Sequence, residues 1–206
     1  MKKFFQLLVF VAMFVVSVPM AFAYREESTI QEGADIVSVQ KMALSAPEYT
    51  PLDGAPSYLD LIRLENQWEG VSKRQVVTYD YISEELFHQM GQDIRQMDRR
   101  LAKQVYRNKV ENFADTYVVL TVINGRRKFG TAFYFDVFKS GTNELLYAYM
   151  IMLDKDDPDD EKNYAMMVNK FYKNFDWAAE KQQKEQEKAR REAERKAERE
   201  AEKAKK

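Results

Sequence analysis

The chain of 206 residues contains no cysteine. This absence excludes disulfide bonds, thiolate metal sites, thiol nucleophiles and a lipid anchor on an N-terminal cysteine. There is a single histidine, His88, so a metal site built from several histidines is excluded as well. A hydrolase using His88 as its base would need a serine in a G-x-S-x-G turn, and the sequence has none. We expect His88 to be a surface or half-buried residue of a helix.

Long apolar runs are also scarce, and the longest lies at the N-terminus. Lys2 and Lys3 precede an apolar stretch over 4–18, Pro19 then breaks it, and Ala21-Phe22-Ala23 offers small residues at the cleavage positions. The pattern predicts that residues 1–23 form a secretory signal peptide. The alternative is an uncleaved anchor, because the run is nearly long enough to span a bilayer. Cleavage predicts an exported product in the periplasm or cell envelope, or outside the cell, for which the membrane matters only during export.

The C-terminal segment 178–206 consists almost entirely of Ala, Glu, Lys, Arg and Gln, which favour helix. It carries 11 basic and 8 acidic residues, whereas 24–177 carries 19 basic and 25 acidic residues. Alanine is its sole apolar residue type, so a coiled-coil seam is not expected. We predict a charged, solvated helical tail, with contact to an anionic envelope polymer or lipid as the alternative. The acidic body argues against nucleic acid as the main partner.

The segments that follow the signal alternate between strand and helix patterns. Residues 24–33 are polar and are expected to form an N-terminal arm, and the globular part is expected to span 34–177. The β-branched stretches 35–44 and 75–79 predict strands. Between them, prolines predict a loop over 45–56 and apolar spacing predicts a short helix over 58–68.

Three further helices are indicated by caps and apolar spacing. Ser83 is the expected N-cap of the first, which ends near Gly91. The second runs from about residue 93 to 113 with Ile94, Met97, Leu101 and Val105 as its apolar face and the charged residues, among them Arg99, Lys103 and Arg107, outside. Asp157 is the expected N-cap of the last helix, whose apolar face ends near Trp177.

The region from 116 to 153 has the clearest strand pattern. Strands are predicted over 117–123, 128–138 and 144–153, joined by turns at Asn124-Gly125 and 139–143. Short turns between neighbouring strands make an antiparallel meander. The fold class is therefore α+β, with a mainly antiparallel sheet of this meander plus one or two N-terminal strands, packed by helices.

Two stretches of the meander carry a family resemblance. Ala114-Asp-Thr-Tyr-Val-Val-Leu-Thr-Val122 and Phe135-Asp-Val-Phe-Lys-Ser-Gly-Thr-Asn-Glu-Leu-Leu-Tyr147 resemble the strand and hairpin patterns of small exported bacterial proteins of unknown function. Those families are related in fold to the N-terminal domain of the Tol-system propeller protein and to the curli-secretion lipoprotein. The resemblance covers about 34–177 and implies fold and compartment, since its motifs are structural. The chain lacks the lipidation cysteine of the lipoprotein members.

The sequence contains no motif that predicts a catalytic, cofactor or metal site. The acidic residues of 154–161 could suggest calcium, but the EF-hand glycine and glutamate positions hold Asp159 and Ala165, and helix capping explains the cluster. Gly125–Gly130 lacks the lysine that follows the glycines of a P-loop, so a charged hairpin tip is expected. We predict no cofactor and no catalytic residue.

The leading functional hypothesis is a non-catalytic envelope protein that binds a protein or polymer. One alternative is an enzyme that uses carboxylates alone, for example Asp115 and Asp136. The other is a spacer that holds a stiff helix away from a surface.

Overall fold

The computed structural model describes residues 25–67, 69–125, 130–154 and 156–204, with side chains through residue 200. The expected signal 1–23 and the tip of the expected charged hairpin lie outside the described residues. None of the helices within these ranges is both long and apolar enough to cross a membrane.

Seven strands form one sheet: β1 (Glu26–Ile30), β2 (Lys41–Leu44), β3 (Glu48–Tyr49), β4 (Gln75–Val77), β5 (Thr116–Ile123), β6 (Ala132–Lys139) and β7 (Leu145–Met152). Their order is β1-β7-β6-β5-β2-β4, and β3 pairs with β5. The pairs β1–β7, β6–β7 and β5–β6 are antiparallel, whereas β2–β4, β2–β5 and β3–β5 are parallel. The α+β class is confirmed, but the sheet is mixed rather than mainly antiparallel. The parallel pairs arise because helical segments between the strands return the chain to the same end of the sheet.

The meander of β5, β6 and β7 is present as expected, and it supplies much of the core. Alternation along β6 places Phe133, Phe135 and Val137 in the core with at most 1% of their surface exposed. Phe135 stacks on Phe171 of the last helix, with ring centroids 4.5 Å apart and planes 4° apart. The meander is therefore fixed to that helix by large aromatic side chains.

The N-terminal segment differs from the expected arm. Residues of 24–33 form β1, in which Glu26 lies opposite Ile151 and Ile30 opposite Tyr147. All but Ile30 of its residues are exposed, because β1 is the edge strand. The expected first strand over 35–44 is also shorter, since the Asp35 carboxylate accepts the N–H of Val37 at 3.0 Å in a bend before β2.

The first two helices begin at well-defined caps. α1 (Tyr58–Glu65) starts with a capping box between Ser57 and Asp60. α2 (Tyr79–Met90) starts at the N-cap Thr78, which corrects the expected start at Ser83. Ser83 instead lies buried inside α2, where its hydroxyl donates to the Tyr79 carbonyl at 2.7 Å.

α3 (Arg99–Lys109) is flanked by two 3₁₀ turns, and it presents a different face to the core than the apolar spacing predicts. The buried residues are Ile94, Tyr106 and Val110, whereas Leu101 is 50% exposed. Packing of Tyr106 against the sheet therefore sets the rotation of the helix. As a consequence, Lys103 on its charged side is partly buried, whereas Arg99 and Arg107 remain exposed.

The last helix, α4 (Glu161–Ala204), is 44 residues long. It begins four residues after the expected cap Asp157, because the Asp160 carboxylate accepts the N–H of Asn163 at 2.9 Å. Packing continues past residue 177, the expected end of the globular part. Ala179 is buried, and the Gln182 side chain donates to the Ala34 carbonyl at 2.6 Å and accepts the Ile36 N–H at 2.9 Å. Residues 183–200 are exposed.

The helices cover the two faces of the sheet unequally. α1 and α4 pack on one face and enclose the larger core. On the other face, α2 and α3 cover β4, β2 and β5 around the smaller core. β6 and β7 have no helix over this second face within the described residues, and Tyr134 of β6 is 37% exposed there. A cleft lies where α3 meets the sheet.

Candidate functional site

The candidate site is a cavity of about 370 Å³ between α3, the α1 and α2 N-termini, β5 and the chain from Ser45 to Tyr49. We call it the α3 cleft. Val119 and Tyr117 of β5 form part of its floor, since odd-numbered residues of this strand face the smaller core. The volume lies at the lower end of the range found for small-molecule sites.

Tyrosines form the inner wall of the α3 cleft, namely Tyr49, Tyr58, Tyr79, Tyr106 and Tyr117. Burial raises the pKa of each phenol above its ordinary value of 10.0, so all five are neutral hydrogen-bond donors. Tyr106 and Tyr49 donate to backbone carbonyls, at 2.6 Å and 2.8 Å. Tyr58 has no hydrogen-bond partner for its hydroxyl in the described part of the chain. Its hydroxyl is therefore available to a ligand.

The opposite wall carries a row of basic side chains. Arg95 lies in the 3₁₀ turn before α3, and Arg99, Lys103 and Arg107 follow along the helix at intervals of four residues. Residues four apart lie on neighbouring positions of a helix surface, so the row runs along the cleft. The one acidic residue among those lining the described cleft is Glu48. The cleft is thus positively charged in a body where acidic residues outnumber basic ones.

The four basic residues differ in how far other groups of the protein already neutralise them. Arg95 contacts Asp93 at 2.8 Å and Asp80 at 3.8 Å, and its hydrogen bonds hold the pKa of Asp93 below its usual range. Lys103 forms an ion pair with Glu48 across the cleft. Arg99 and Arg107 form no ion pair with any described residue. These two guanidinium groups are the ones that an anion would meet.

Arg99 has a neutral partner on the opposite side of the cleft. Its guanidinium donates to the backbone carbonyl of Pro47 at 3.4 Å. A carbonyl oxygen leaves the positive charge in place, and a guanidinium has five N–H donors, so most remain free. Arg107 is exposed at the far end of the row.

The structure does not bring together the carboxylates considered for an enzyme. The Asp115 carboxylate accepts the N–H groups of Gln40 and Lys41, at 3.0 Å and 2.9 Å. Asp136 lies opposite Val119, four residues further along β5, which corresponds to roughly 13 Å along a strand. Neither residue lines the α3 cleft. The pairing of Asp115 with Asp136 as catalytic carboxylates is therefore not supported.

The other candidate groups are also separated. His88 is an exposed residue of α2. In the acidic segment, Asp159 accepts the Thr131 hydroxyl at 2.6 Å and Glu161 pairs with Arg63 at 2.8 Å. Within the described residues, no three metal-ligating side chains lie close enough to hold an ion.

Glu65 is a buried acid that the residue pattern alone does not single out. It is 3% exposed at the end of α1, and burial raises its pKa well above the ordinary value of 4.5. In the described chain, its carboxyl has no hydrogen-bond partner. Its spacing from Tyr58 and Leu61 places it on the inward face of the helix, which is the signal that could have found it.

The described residues define an α+β fold with a basic, tyrosine-walled cleft. No family model and no curated protein matches the chain. Solved structures similar to it include PelC from Paraburkholderia phytofirmans, with 10% identity and a TM-score of 0.40 over 74% of this chain and 97% of that chain. The LpoB C-terminal domain from Escherichia coli has 12% identity and a TM-score of 0.42 over 59% and 96%.

TolB from Acinetobacter baumannii is also similar, with 10% identity and a TM-score of 0.35. The match covers 75% of this chain and 31% of TolB. All three TM-scores lie below 0.5, so these similarities carry no functional conclusion.

Proposed function

We propose that this protein is a non-catalytic binding module of the bacterial cell envelope and that it binds an anionic ligand in the α3 cleft. The observation that carries the proposal is the row Arg95, Arg99, Lys103 and Arg107 along one wall of the cleft. The body around it is acidic, so this positive site is local rather than a general property of the surface.

The physical environment of the cleft strengthens attraction for an anion. Neutral tyrosine rings on the inner wall lower the local dielectric constant, and charge interactions are stronger there than in water. Guanidinium groups bind carboxylates and phosphates with two parallel hydrogen bonds. The carboxylate of Glu48 is engaged by Lys103, which favours a binding role over general-base chemistry at this position.

Export is part of the proposal and rests on the N-terminal sequence. Cleavage after Ala23 would leave Tyr24 as the first residue, and β1 begins at Glu26. The mature chain would then keep every residue of its edge strand. Fractionation of cells that express the full chain tests this step, since recovery of the uncleaved protein in the cytoplasm would contradict it.

Binding is tested by calorimetric titration of the mature chain with oligogalacturonate at low ionic strength. We expect saturable binding that weakens with added salt, and a loss of about 10-fold or more in affinity for Arg99→Ala. Arg100→Ala is the matched control, because Arg100 lies on α3 next to Arg99 but does not line the cleft. No binding by the unaltered chain, or equal losses in both variants, would contradict the proposal.

One observation supports the spacer role as a second function. α4 projects from Gln182 to Ala204, which corresponds to about 33 Å of helix. Its exposed part carries ion pairs such as Arg190 with Glu194, four residues apart. Circular dichroism of the mature chain and of a form truncated after Gln182 tests the role. The loss of helical signal should match the deleted residues, and an unchanged signal would contradict a helical spacer.

A further inference from the structure

The part of the α3 cleft around Arg99 is lined by apolar side chains. Four of them are partly exposed and pack at the edge of the smaller core, namely Ala46, Tyr58, Met97 and Ala102. Three of these side chains offer no strong hydrogen-bond donor or acceptor, and the fourth, Tyr58, carries a single hydroxyl. A ligand that enters the cleft beside the Arg99 guanidinium therefore meets mainly apolar groups.

Deeper in the cleft the lining is apolar as well. Val119 of β5 and Tyr79 of α2 belong to the smaller core, and 9% and 7% of their surfaces remain exposed. The cavity of about 370 Å³ is large enough for a small organic molecule. A polar molecule would lose its hydrogen bonds to water there without gaining replacements, whereas an apolar one gains from burial.

One unpaired cation lies beside this apolar lining. Arg95 and Lys103 are held in ion pairs, and Arg107 is exposed two helical turns beyond Arg99. Arg99 forms no ion pair with any described residue. Its positive charge acts on Tyr58, where it opposes the rise that burial causes in the pKa of the phenol. The free charge and the apolar lining therefore adjoin at Arg99.

We infer that the α3 cleft takes a small amphipathic organic anion, whose charged group binds Arg99 and whose aromatic or aliphatic body lies against Met97 and Ala102. This inference rests on the proposed function and adds to it the chemical class of the ligand. A hydrophilic anion such as a uronic acid fits the inner cleft poorly, because its hydroxyl groups would be desolvated without finding partners. Oligogalacturonate is therefore a probe of the charge at the rim alone.

Four ligands that each carry one negative charge separate the effect of an apolar body from the effect of the charge. Acetate, galacturonate, octanoate and 2-naphthoate are titrated by calorimetry against the mature chain at low ionic strength. We expect octanoate and 2-naphthoate to bind about 10- to 100-fold more tightly than acetate and galacturonate, the factor that corresponds to burying about 60–100 Å² of apolar surface. The tighter binder of the two shows whether the body is aliphatic or aromatic. Equal affinities for all four ligands would overturn the inference.

The role of Arg99 is tested with a neutral analogue of the aromatic ligand. 2-Naphthamide has nearly the shape of 2-naphthoate without its charge, and it should bind the unaltered chain about 10-fold more weakly. In Arg99→Ala this preference for the charged ligand should disappear while 2-naphthamide keeps its affinity. Arg100→Ala is the control and should keep the preference. A preference for 2-naphthoate that survives in Arg99→Ala would overturn the assignment of this guanidinium as the anion-binding group.

Two cavity-filling substitutions test where the apolar body lies. Ala102→Leu adds side-chain atoms to the lining from α3, and Ala46→Leu adds them from the chain before β3. Each should lower the affinity for 2-naphthoate by about 10-fold or more. Binding of oligogalacturonate should be retained, which shows that the variants are folded. An unchanged affinity for 2-naphthoate in both variants would overturn the placement of the apolar body.

The outcomes separate the inference from the proposed function. If oligogalacturonate binds in a way that depends on Arg99, but octanoate and 2-naphthoate bind no better than acetate, the amphipathic ligand is overturned and the anion site stands. Absence of binding by every one of these anions would overturn both. Equal affinities of the unaltered chain for 2-naphthoate and 2-naphthamide would overturn the requirement for a charged group.

Discussion

A buried ion pair between Arg74, the residue before β4, and Asp176 of α4 supports a quantitative prediction. Arg74 Nη1 lies 3.2 Å from Asp176 Oδ1, and the two side chains are 17% and 6% exposed. Asp176 Oδ2 also accepts the backbone N–H of Lys73 at 2.7 Å. The perturbation is Asp176→Ala, which removes both hydrogen bonds and leaves the Arg74 cation without its partner.

The expected loss of unfolding free energy follows from these contacts. Hydrogen bonds to a charged group contribute about 1.5–3 kcal/mol each, so two of them give roughly 3–6 kcal/mol. Removing one member of a buried ion pair costs about 3–5 kcal/mol, which agrees with that range. The Nε of Arg74 has no hydrogen-bond partner among the described residues. This nitrogen therefore makes no hydrogen bond that could offset the loss of the Asp176 carboxylate.

Urea denaturation followed by circular dichroism measures the loss. Glu180→Ala is the control, because Glu180 forms an exposed ion pair with the adjacent Lys73 and should change stability little. The double variant Arg74→Met/Asp176→Leu should recover most of the loss, since it replaces the buried pair by apolar packing. A loss below about 1 kcal/mol for Asp176→Ala would refute the reasoning.

Three further substitutions test other parts of the fold. Glu65→Gln should stabilise the protein at neutral pH, and this gain in unfolding free energy should disappear below pH 4.5. Urea titrations at several pH values measure the gain. Because the pKa of Glu65 is raised in the folded protein, the contribution of this residue to the unfolding free energy is complete below pH 4.5. Above that pH the contribution falls by about 1.4 kcal/mol per pH unit until the folded pKa is reached. Gly130→Ala should lower the thermal midpoint, because a Cβ would overlap the Leu153 carbonyl oxygen, and an unchanged midpoint would contradict this packing. Gln182→Ala should cost about 1–3 kcal/mol in urea titration through its two backbone hydrogen bonds, whereas exposed Gln183→Ala should cost nothing measurable.

Features that depend on residues close together in the chain could be predicted from the sequence. The meander follows from strand alternation and short turns, and both signals lie within about 40 residues. Gly91 ends α2 in the left-handed conformation with φ of 71°, as its position after the apolar residues indicates. The buried face of α4 up to Phe175 also follows from helical spacing.

Features that depend on pairing with strands far away in the sequence could not be predicted. β1 has no apolar pattern because it is an exposed edge strand, and its identity depends on β7. β3 comprises two residues within the expected loop and exists through pairing with β5. The parallel direction of β2 and β5 likewise depends on how the helices between them pack.

The α3 cleft was missed because two helix faces compete in the sequence. The stripe through Met97, Leu101 and Val105 predicts one buried face, but Ala102, Tyr106 and Val110 also recur at intervals of four. The second stripe is the one that packs, since Tyr106 inserts its ring beside Tyr79 and Tyr117. That rotation places the basic row at the rim of the cleft, and recognising the second stripe would have indicated it.

The pairing of β1 with β7 also sets the order in which the sheet assembles. β7 meets β6 across a short turn, whereas it meets β1 across most of the chain. Loop closure costs about 0.6 kcal/mol for each doubling of length, so the second contact costs roughly 3 kcal/mol more to close than the first. The meander is therefore expected to form early and β1 to join it last, and amide hydrogens of β1 should exchange faster than those of β6. Until β1 joins, the outer edge of β7 is an unpaired strand of mostly apolar residues, so this interval is when the chain is most prone to aggregate.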